Sequence, residues 1–238
     1  MQRYFANKIN NKIILNDGDV HHLLHVMRAH KGDEIEVVSD GHLYSCIVNN
    51  INPLDISISY EIPTDSELKQ KVTLFFSLAK GDKIDFVVQK ATELGVFRIV
   101  LLKTERCINK IDESQLSHKL ERFKKIAKEA SEQCHRLLIP EIVGVVDINN
   151  IPEDLLCDIN LLAYEKEAGS TDSFAAALNK EKQSISVMIG PEGGFSKEEV
   201  YLLVNKDRFI PISLGKRILR TETAAVYALS VLGFLLER

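Results

Sequence analysis

No apolar run in this 238-residue chain approaches the roughly 18 residues that would span a bilayer. The opening residues Met1-Gln2-Arg3-Tyr4-Phe5 contain no apolar h-region, so no secretory leader is expected. Cysteine is scarce. Cys46, Cys107, Cys134 and Cys157 lie far apart and form no CxxC pair, which points to reduced structural thiols and a cytoplasmic protein. Positive charge is not in surplus either. The net charge is -4, with 6 basic and 10 acidic residues up to Gln70 and 24 of each beyond it. Composition therefore gives no support to nucleic-acid binding, and any such contact would have to use local clusters. There is no internal repeat and no low-complexity tract.

What is present is a core-sized supply of apolar residues, 45% of the chain, in two patterns. Up to about residue 62 the chain reads as short Ile- and Val-rich strands, at Lys12–Leu15, Glu34–Ser39, Leu43–Val48 and Asp55–Ile62. Asp40-Gly41 is a hairpin turn between two of them. One helix, about Asp19–Ala29, interrupts this small β-rich module. The polar stretch Ile62-Pro63-Thr64-Asp65-Ser66-Glu67 suggests a boundary, giving domains at 1–70 and 71–238. From Lys71 strands alternate with helices. Strands are expected at Val72–Leu78, Ile99–Leu102, Ile159–Ala163, Ser184–Ile189 and Phe209–Ile212. Helices are expected at Asp82–Leu94, Glu113–Gln133, near Ser173–Leu178, from the capping box Ser196-Lys197-Glu198-Glu199 onward, and at Glu222–Glu237. That alternation argues for an α/β domain with a mainly parallel sheet covered on both faces. The last helix is apolar over more than one stripe, which suits a central core position or a subunit interface.

Two loops carry the chemistry. Gly190-Pro191-Glu192-Gly193-Gly194-Phe195-Ser196 follows one expected strand, and Leu214–Ala225 follows the next. Loops at the carboxyl ends of strands are where α/β sheets bind ligands. The first loop is neither GxGxxG nor a Walker A loop, and Glu192 would repel a bound phosphate. It suits a ligand with little phosphate charge, although its glycines would serve a tight turn equally well. In the second, Gly215 permits unusual backbone angles, Lys216, Arg217 and Arg220 are close-spaced cations, and Thr221 is placed to cap the last helix. A solvated basic turn is the plainer reading of that stretch. His21 and His25 stand four apart on a helix, but no partner at ligand spacing accompanies them, so no metal is expected. Arg28, Lys31, Lys80, Lys83, Lys90, Arg106 and Arg136 fall near strand ends; as scattered charges they are mostly solvated surface, and as one face they would contact RNA phosphates, a choice that spacing does not make.

Taken together, Ile189–Ser196 and Leu214–Ala224 resemble the RsmE family, bacterial 16S ribosomal RNA uridine-N3 methyltransferases of the SPOUT superfamily. Lys90-Ala91-Thr92-Glu93-Leu94-Gly95-Val96, Thr104-Glu105-Arg106, Glu129-Ala130-Ser131-Glu132-Gln133 with Arg136, and His22 with Val26-Met27-Arg28 are similar to family signatures in family order. Met27 stands where Leu is more usual, and Cys134 where Ser is common. The resemblance implies a PUA-like β-barrel followed by an α/β knot, a C-terminal trefoil through which the chain threads. It also implies a homodimer whose cofactor is S-adenosylmethionine and whose substrate is 16S rRNA or the small ribosomal subunit.

Carried onto this sequence, the cofactor-binding residues would be Leu162, Glu165, Gly190, Pro191, Glu192, Gly193, Gly194, Leu214, Gly215, Ile218, Leu219 and Thr221. Arg220 and Glu222 would be catalytic. Arg28, Lys31, Lys80, Arg106, Arg136 and Arg217 would contact RNA. A non-catalytic ribosome-assembly factor of the same fold is the alternative, and it predicts degraded cofactor loops.

Overall fold

The computed structural model of the chain describes residues 2–79, 81–107, 113–164, 172–178 and 181–237. Two compact units emerge: one runs to Glu67 and includes Ser131–Ile139, and the other holds Leu68–Ala130 and the chain from Pro140 on.

The first unit contains β1 (Arg3–Phe5), β2 (Asn7–Ile9), β3 (Lys12–Ile14), α1 (Asp17–His21), β4 (Glu34–Ser39), β5 (His42–Ile51) and β6 (Leu54–Ile62). The strands form one sheet in the order β1-β4-β5-β6-β3-β2, with β1 parallel to β4 and the other pairs antiparallel. Asp40 and Gly41 both take positive φ, 52° and 79°, as a tight turn between β4 and β5 requires. Asn16 caps α1 through a 2.9 Å bond from the Asp19 amide, and the helix then widens into a π turn at His22–Val26. Tyr4, Ile13, Leu23, Val37, Cys46 and Ile56 fill the hollow of this curled sheet. β1 and β2, three residues each, are too short to show an alternation in the sequence.

Ser131–Ile139 joins this unit through arginine. Arg3 Nη1 donates to the His135 carbonyl at 2.5 Å, and Arg3 Nη2 pairs with Glu36 at 2.8 Å. Arg136 pairs with Glu67 at 2.6 Å, and Glu67 also accepts from the Leu137 amide at 2.8 Å.

The second unit contains β7 (Lys71–Ser77), α2 (Lys83–Glu93), β8 (Arg98–Lys103), α3 (Glu113–Gln133), β9 (Glu141–Asp147), β10 (Ile159–Ala163), α4 (Asp172–Ala177), β11 (Ser184–Ile189), α5 (Lys197–Asn205), β12 (Phe209–Ile212) and α6 (Thr221–Leu236). The sheet is parallel throughout, in the order β12-β10-β11-β7-β8-β9. Period-two alternation along each strand divides its side chains between two cores. Leu74, Phe76, Ile99, Leu101, Leu161 and Val187 face α2, α3 and α6. Phe75, Val100, Leu102, Leu162 and Met188 face Leu203 of α5 and the turns that carry Ile148 and Leu155.

β9 has no counterpart in the sequence expectations. It is an edge strand with mostly half-buried residues. The expected cap of the last helix is also corrected. Arg220 is the N-cap residue of α6, with extended φ and ψ of -66° and 153° and no side-chain cap bond, and Thr221 is the first helical residue.

Candidate active site

The strand order sets β12, β10 and β11 side by side, so parallel pairing brings their carboxyl ends to one edge of the sheet. The three loops that leave this edge enclose a cavity of about 130 Å³. Each loop is held in a different way. After β10, the Tyr164 amide donates to the Ile212 carbonyl at 3.1 Å, which ties the end of β10 to the end of β12. After β11, the Ser77 hydroxyl donates to the Ile189 carbonyl at 2.9 Å, and the Gly194 amide closes onto Pro191 O at 2.9 Å. After β12, Ser213 Oγ accepts from the Gly215 amide at 3.1 Å, and Gly215 takes φ of 108°, a conformation that other residues rarely adopt.

Gly190 is required for a different reason. A Cβ there would sit 2.9 Å from Phe195 Cε2, inside van der Waals contact. The ring of Phe195 thus packs directly on the backbone where the loop leaves β11. From outside, Arg106 Nη1 donates to the carbonyls of Gly193 and Phe195 at 3.1 and 3.4 Å. Buried Glu199 accepts from the amides of Glu105 and Ser196, both at 2.8 Å. Together with the bond from the Glu199 amide to Ser196 Oγ at 3.2 Å, this completes the capping box that starts α5. The Thr104–Arg106 turn and the glycine loop are therefore braced against each other.

Of the residues expected at the cofactor, Gly190, Pro191, Gly194, Leu214, Gly215, Ile218, Leu219 and Thr221 line the cavity, and so does Arg217. Three others lie elsewhere. Leu162 is fully buried in the core with Phe75, because the alternation of β10 turns it away. Glu192 pairs with Lys83 at 2.8 Å, and Gly193 backs onto Arg106. Glu165 and Lys80 are outside the described residues. Lys216, read beforehand as one of three close-spaced cations, also lines the cavity, as do Ala163, Tyr164, Ile189, Phe195, Ser213 and Ala224, which were given no individual role. All of them lie within or beside the motifs, so their signal was adjacency.

Arg220 is exposed between two lining residues, Leu219 and Thr221. Glu222 follows in the first turn of α6, with its side chain 19% exposed. Burial works to raise its pKa. A backbone hydrogen bond, the Thr221 hydroxyl at 3.1 Å and Lys83 at 3.5 Å outweigh that effect and hold the carboxyl below the usual glutamate range. Lys83 in turn lies above the usual lysine value, chiefly through its hydrogen bond to Glu192.

Among the residues expected to touch RNA, Arg28, Lys31, Arg106 and Arg217 are exposed. Arg136 is corrected. It is 3% exposed and spends its charge on Glu67, so it organises the first unit and offers no surface to a phosphate. Among the described residues, no group of three His, Cys, Asp or Glu could hold a metal ion, and no helix is long and apolar enough to cross a membrane.

The walls of the cavity mix apolar side chains (Ile189, Leu214, Leu219, Ala224) with glycine backbone and the two cations Lys216 and Arg217, while the one carboxylate of the glycine loop pairs with Lys83. Family models match in two segments: an RNA methyltransferase PUA domain over residues 15–59 and an RNA methyltransferase domain over residues 66–233. The chain is 34% identical to the ribosomal RNA small subunit methyltransferase E of Bacillus subtilis, covering 100% of this chain and 98% of the relative. It is 33% identical to the Aquifex aeolicus protein of the same name, covering 96% and 97%. Two solved structures superpose on it with TM-scores of 0.85. One is a putative methyltransferase from Legionella pneumophila in complex with S-adenosylmethionine, 30% identical, covering 97% and 96%. The other is a ribosomal RNA small subunit methyltransferase E from Neisseria gonorrhoeae bound to S-adenosylmethionine, 27% identical, covering 99% and 98%. With the parallel α/β unit, the curled N-terminal sheet and the three-loop cavity all in place, this end-to-end agreement makes the chain a member of the ribosomal RNA small subunit methyltransferase E family, built from a SPOUT-type methyltransferase domain and a PUA-like domain.

Proposed function

We propose that this protein methylates N3 of a specific uridine in the 16S rRNA of the small ribosomal subunit, using S-adenosylmethionine held in the three-loop cavity. The observation that carries the reading is the cavity itself, with eight of the expected cofactor residues on its wall and Arg220 exposed beside it. When bound, the cofactor supplies an activated methyl on a cationic sulfur. Gly190, Pro191, Gly194, Leu214, Gly215, Ile218, Leu219 and Thr221 would hold it.

The residues of this chain then have to make uracil N3 a nucleophile. N3 carries a proton, and its loss spreads negative charge over the adjoining carbonyls. The guanidinium of Arg220, at the N-terminus of α6, is placed to donate hydrogen bonds to those carbonyls as the charge develops. The helix terminus adds a partial positive charge of its own. Glu222 is a weaker base than an ordinary glutamate, since its surroundings favour the ionised form, yet it remains a stronger base than water; the N3 proton passes to its carboxylate or, through water, to solvent. Correct placement of the two reactants supplies much of the acceleration.

The same reading makes the protein a cytoplasmic homodimer. No disulfide joins the four cysteines, which suits a reducing compartment. Tyr227 and Phe234 on α6 are 38% and 57% exposed, and Ile218 is 92% exposed; these are apolar surfaces that a second copy would cover. The knot is compatible with the route of the chain, which leaves the edge strand β12 and returns to pack α6 against α2 and the interior strand β11.

The cavity assignment is tested by thermal shift. Saturating S-adenosylmethionine or S-adenosylhomocysteine, at about 100 times Kd, is expected to add roughly 2.7 kcal/mol of stability, while NAD adds none. A shift with NAD and none with the adenosyl ligands would reject it.

A further inference from the structure

Lys83 belongs to neither signature loop and does not line the cavity, yet it touches both sides of the site. Its Nζ lies 2.8 Å from Glu192 Oε1 and 3.5 Å from Glu222 Oε2. Glu192 comes from the glycine loop after β11, and Glu222 from the first turn of α6. The three side chains are 30%, 32% and 19% exposed, so water screens the attraction only in part. Without a cation between them, the two carboxylates would repel.

Local structure does not account for a lysine at this position. Lys83 is the first residue of α2, where the helix dipole favours an acidic side chain and opposes a basic one. The preceding Asp82 makes no side-chain cap bond, so Asp85 alone supplies the acidic charge in the first turn of α2. Residues that break a local rule concentrate at functional sites. The charged partner of Glu222 is Lys83 from α2, with Glu192 on the far side of Lys83; Arg220 precedes Glu222 by two residues, at the N-cap of its own helix.

We propose that Lys83 is a positioning residue that ties the glycine loop to the first turn of α6 and fixes Glu222 there as a carboxylate. The inference rests on the methyl-transfer reading of the cavity. It makes cofactor loop and catalytic turn one rigid assembly, with Glu222 kept anionic beside Arg220 down to mildly acidic pH.

The test compares Lys83→Met and Lys83→Arg with wild type and with Lys124→Met, a control on α3 where Lys124 pairs with Glu121. In the ligand-free full chain, the Glu222 carboxyl is titrated by carbon NMR, its signal assigned from its loss in Glu222→Gln. Lys83→Met is expected to raise the Glu222 midpoint by at least about half a pH unit, because the nearby cation that favours the charged form is gone. The acid limb of kcat/KM for methyl transfer should move up by the same interval, and kcat should fall on the order of tenfold through lost positioning. Lys83→Arg restores both, and Lys124→Met leaves both unchanged.

An unmoved Glu222 midpoint in Lys83→Met overturns the proposal, and so does an arginine variant as impaired as the methionine one. If Lys83→Met does not fold, Glu192→Gln takes its place: it frees Lys83 toward Glu222, so the midpoint should fall, and an unchanged or higher midpoint overturns the tie. A wild-type protein that transfers no methyl rejects the methyltransferase reading, while the NMR titration still decides the role of Lys83.

Discussion

Arg220 and Arg136 show how far residue type alone can be trusted. Both are arginines inside family-like signatures. One is exposed beside the cavity, and the other is buried on Glu67. Arg220→Ala should lower kcat by about 10²–10³, the range for losing one preorganised donor at a charge-building centre, while calorimetric S-adenosylmethionine affinity stays within a few-fold. Arg136→Ala should instead unfold the protein more easily, by about 1–3 kcal/mol in a denaturant titration, because it removes the buried guanidinium that pairs with the half-buried Glu67 carboxylate. A matching loss of stability in Arg28→Ala, whose side chain is exposed, would contradict that distinction. Cys46 lies in the sheet core, where burial pushes its thiol up to about 12. Burial disfavours the thiolate, so native protein at pH 8 should leave Cys46 unmodified by a thiol reagent, and denatured protein should expose it. Sequence could not separate Arg136 from Arg220, since a buried arginine is recognised only once its carboxylate partner is placed. Lys83 was visible merely as one of several basic residues near strand ends.

At the level of elements, legibility followed length and punctuation. α3 and β10 lie where periodicity placed them, and the capping box of α5 forms both of its bonds. Ser196→Ala should therefore destabilise the protein by about 0.5–2 kcal/mol, and more than most exposed substitutions, because Ser196 is buried beside Glu199. Arg106→Ala should loosen the glycine loop from outside and weaken S-adenosylmethionine binding without altering α5, which amide exchange of Gly193 and Gly194 against Leu203 would reveal. Three elements escaped. β1 and β2 are too short for a period, and β9 is an edge strand interrupted by Gly144. The cap of α6 was misplaced by one residue because Thr221 has the chemistry of a cap, while the backbone gives that position to Arg220. The hydroxyl of Thr221 is used on Glu222 instead.

For the whole molecule, the pattern of strands alternating with helices implied a parallel sheet but not its order. The order β12-β10-β11-β7-β8-β9 is what brings three loops, spread from Ala163 to Ala224, around one cavity. The glycine loop and Leu214–Ala225 could be read as walls of one pocket from their places after successive strands; the turn after β10 was added only through the family resemblance. The exposed apolar residues of α6 belong to this scale too. Tyr227→Glu with Phe234→Glu should convert a dimer into a monomer by light scattering, and a wild-type protein already monomeric at micromolar concentration would remove the homodimer from the account. The most direct test of the central claim is methyl transfer itself. Small ribosomal subunits from a strain lacking the activity are incubated with the protein and labelled S-adenosylmethionine, then digested and read by mass spectrometry. The account predicts one labelled methyl on N3 of a single uridine in the 16S rRNA; no transfer, or transfer only to another base, would contradict it.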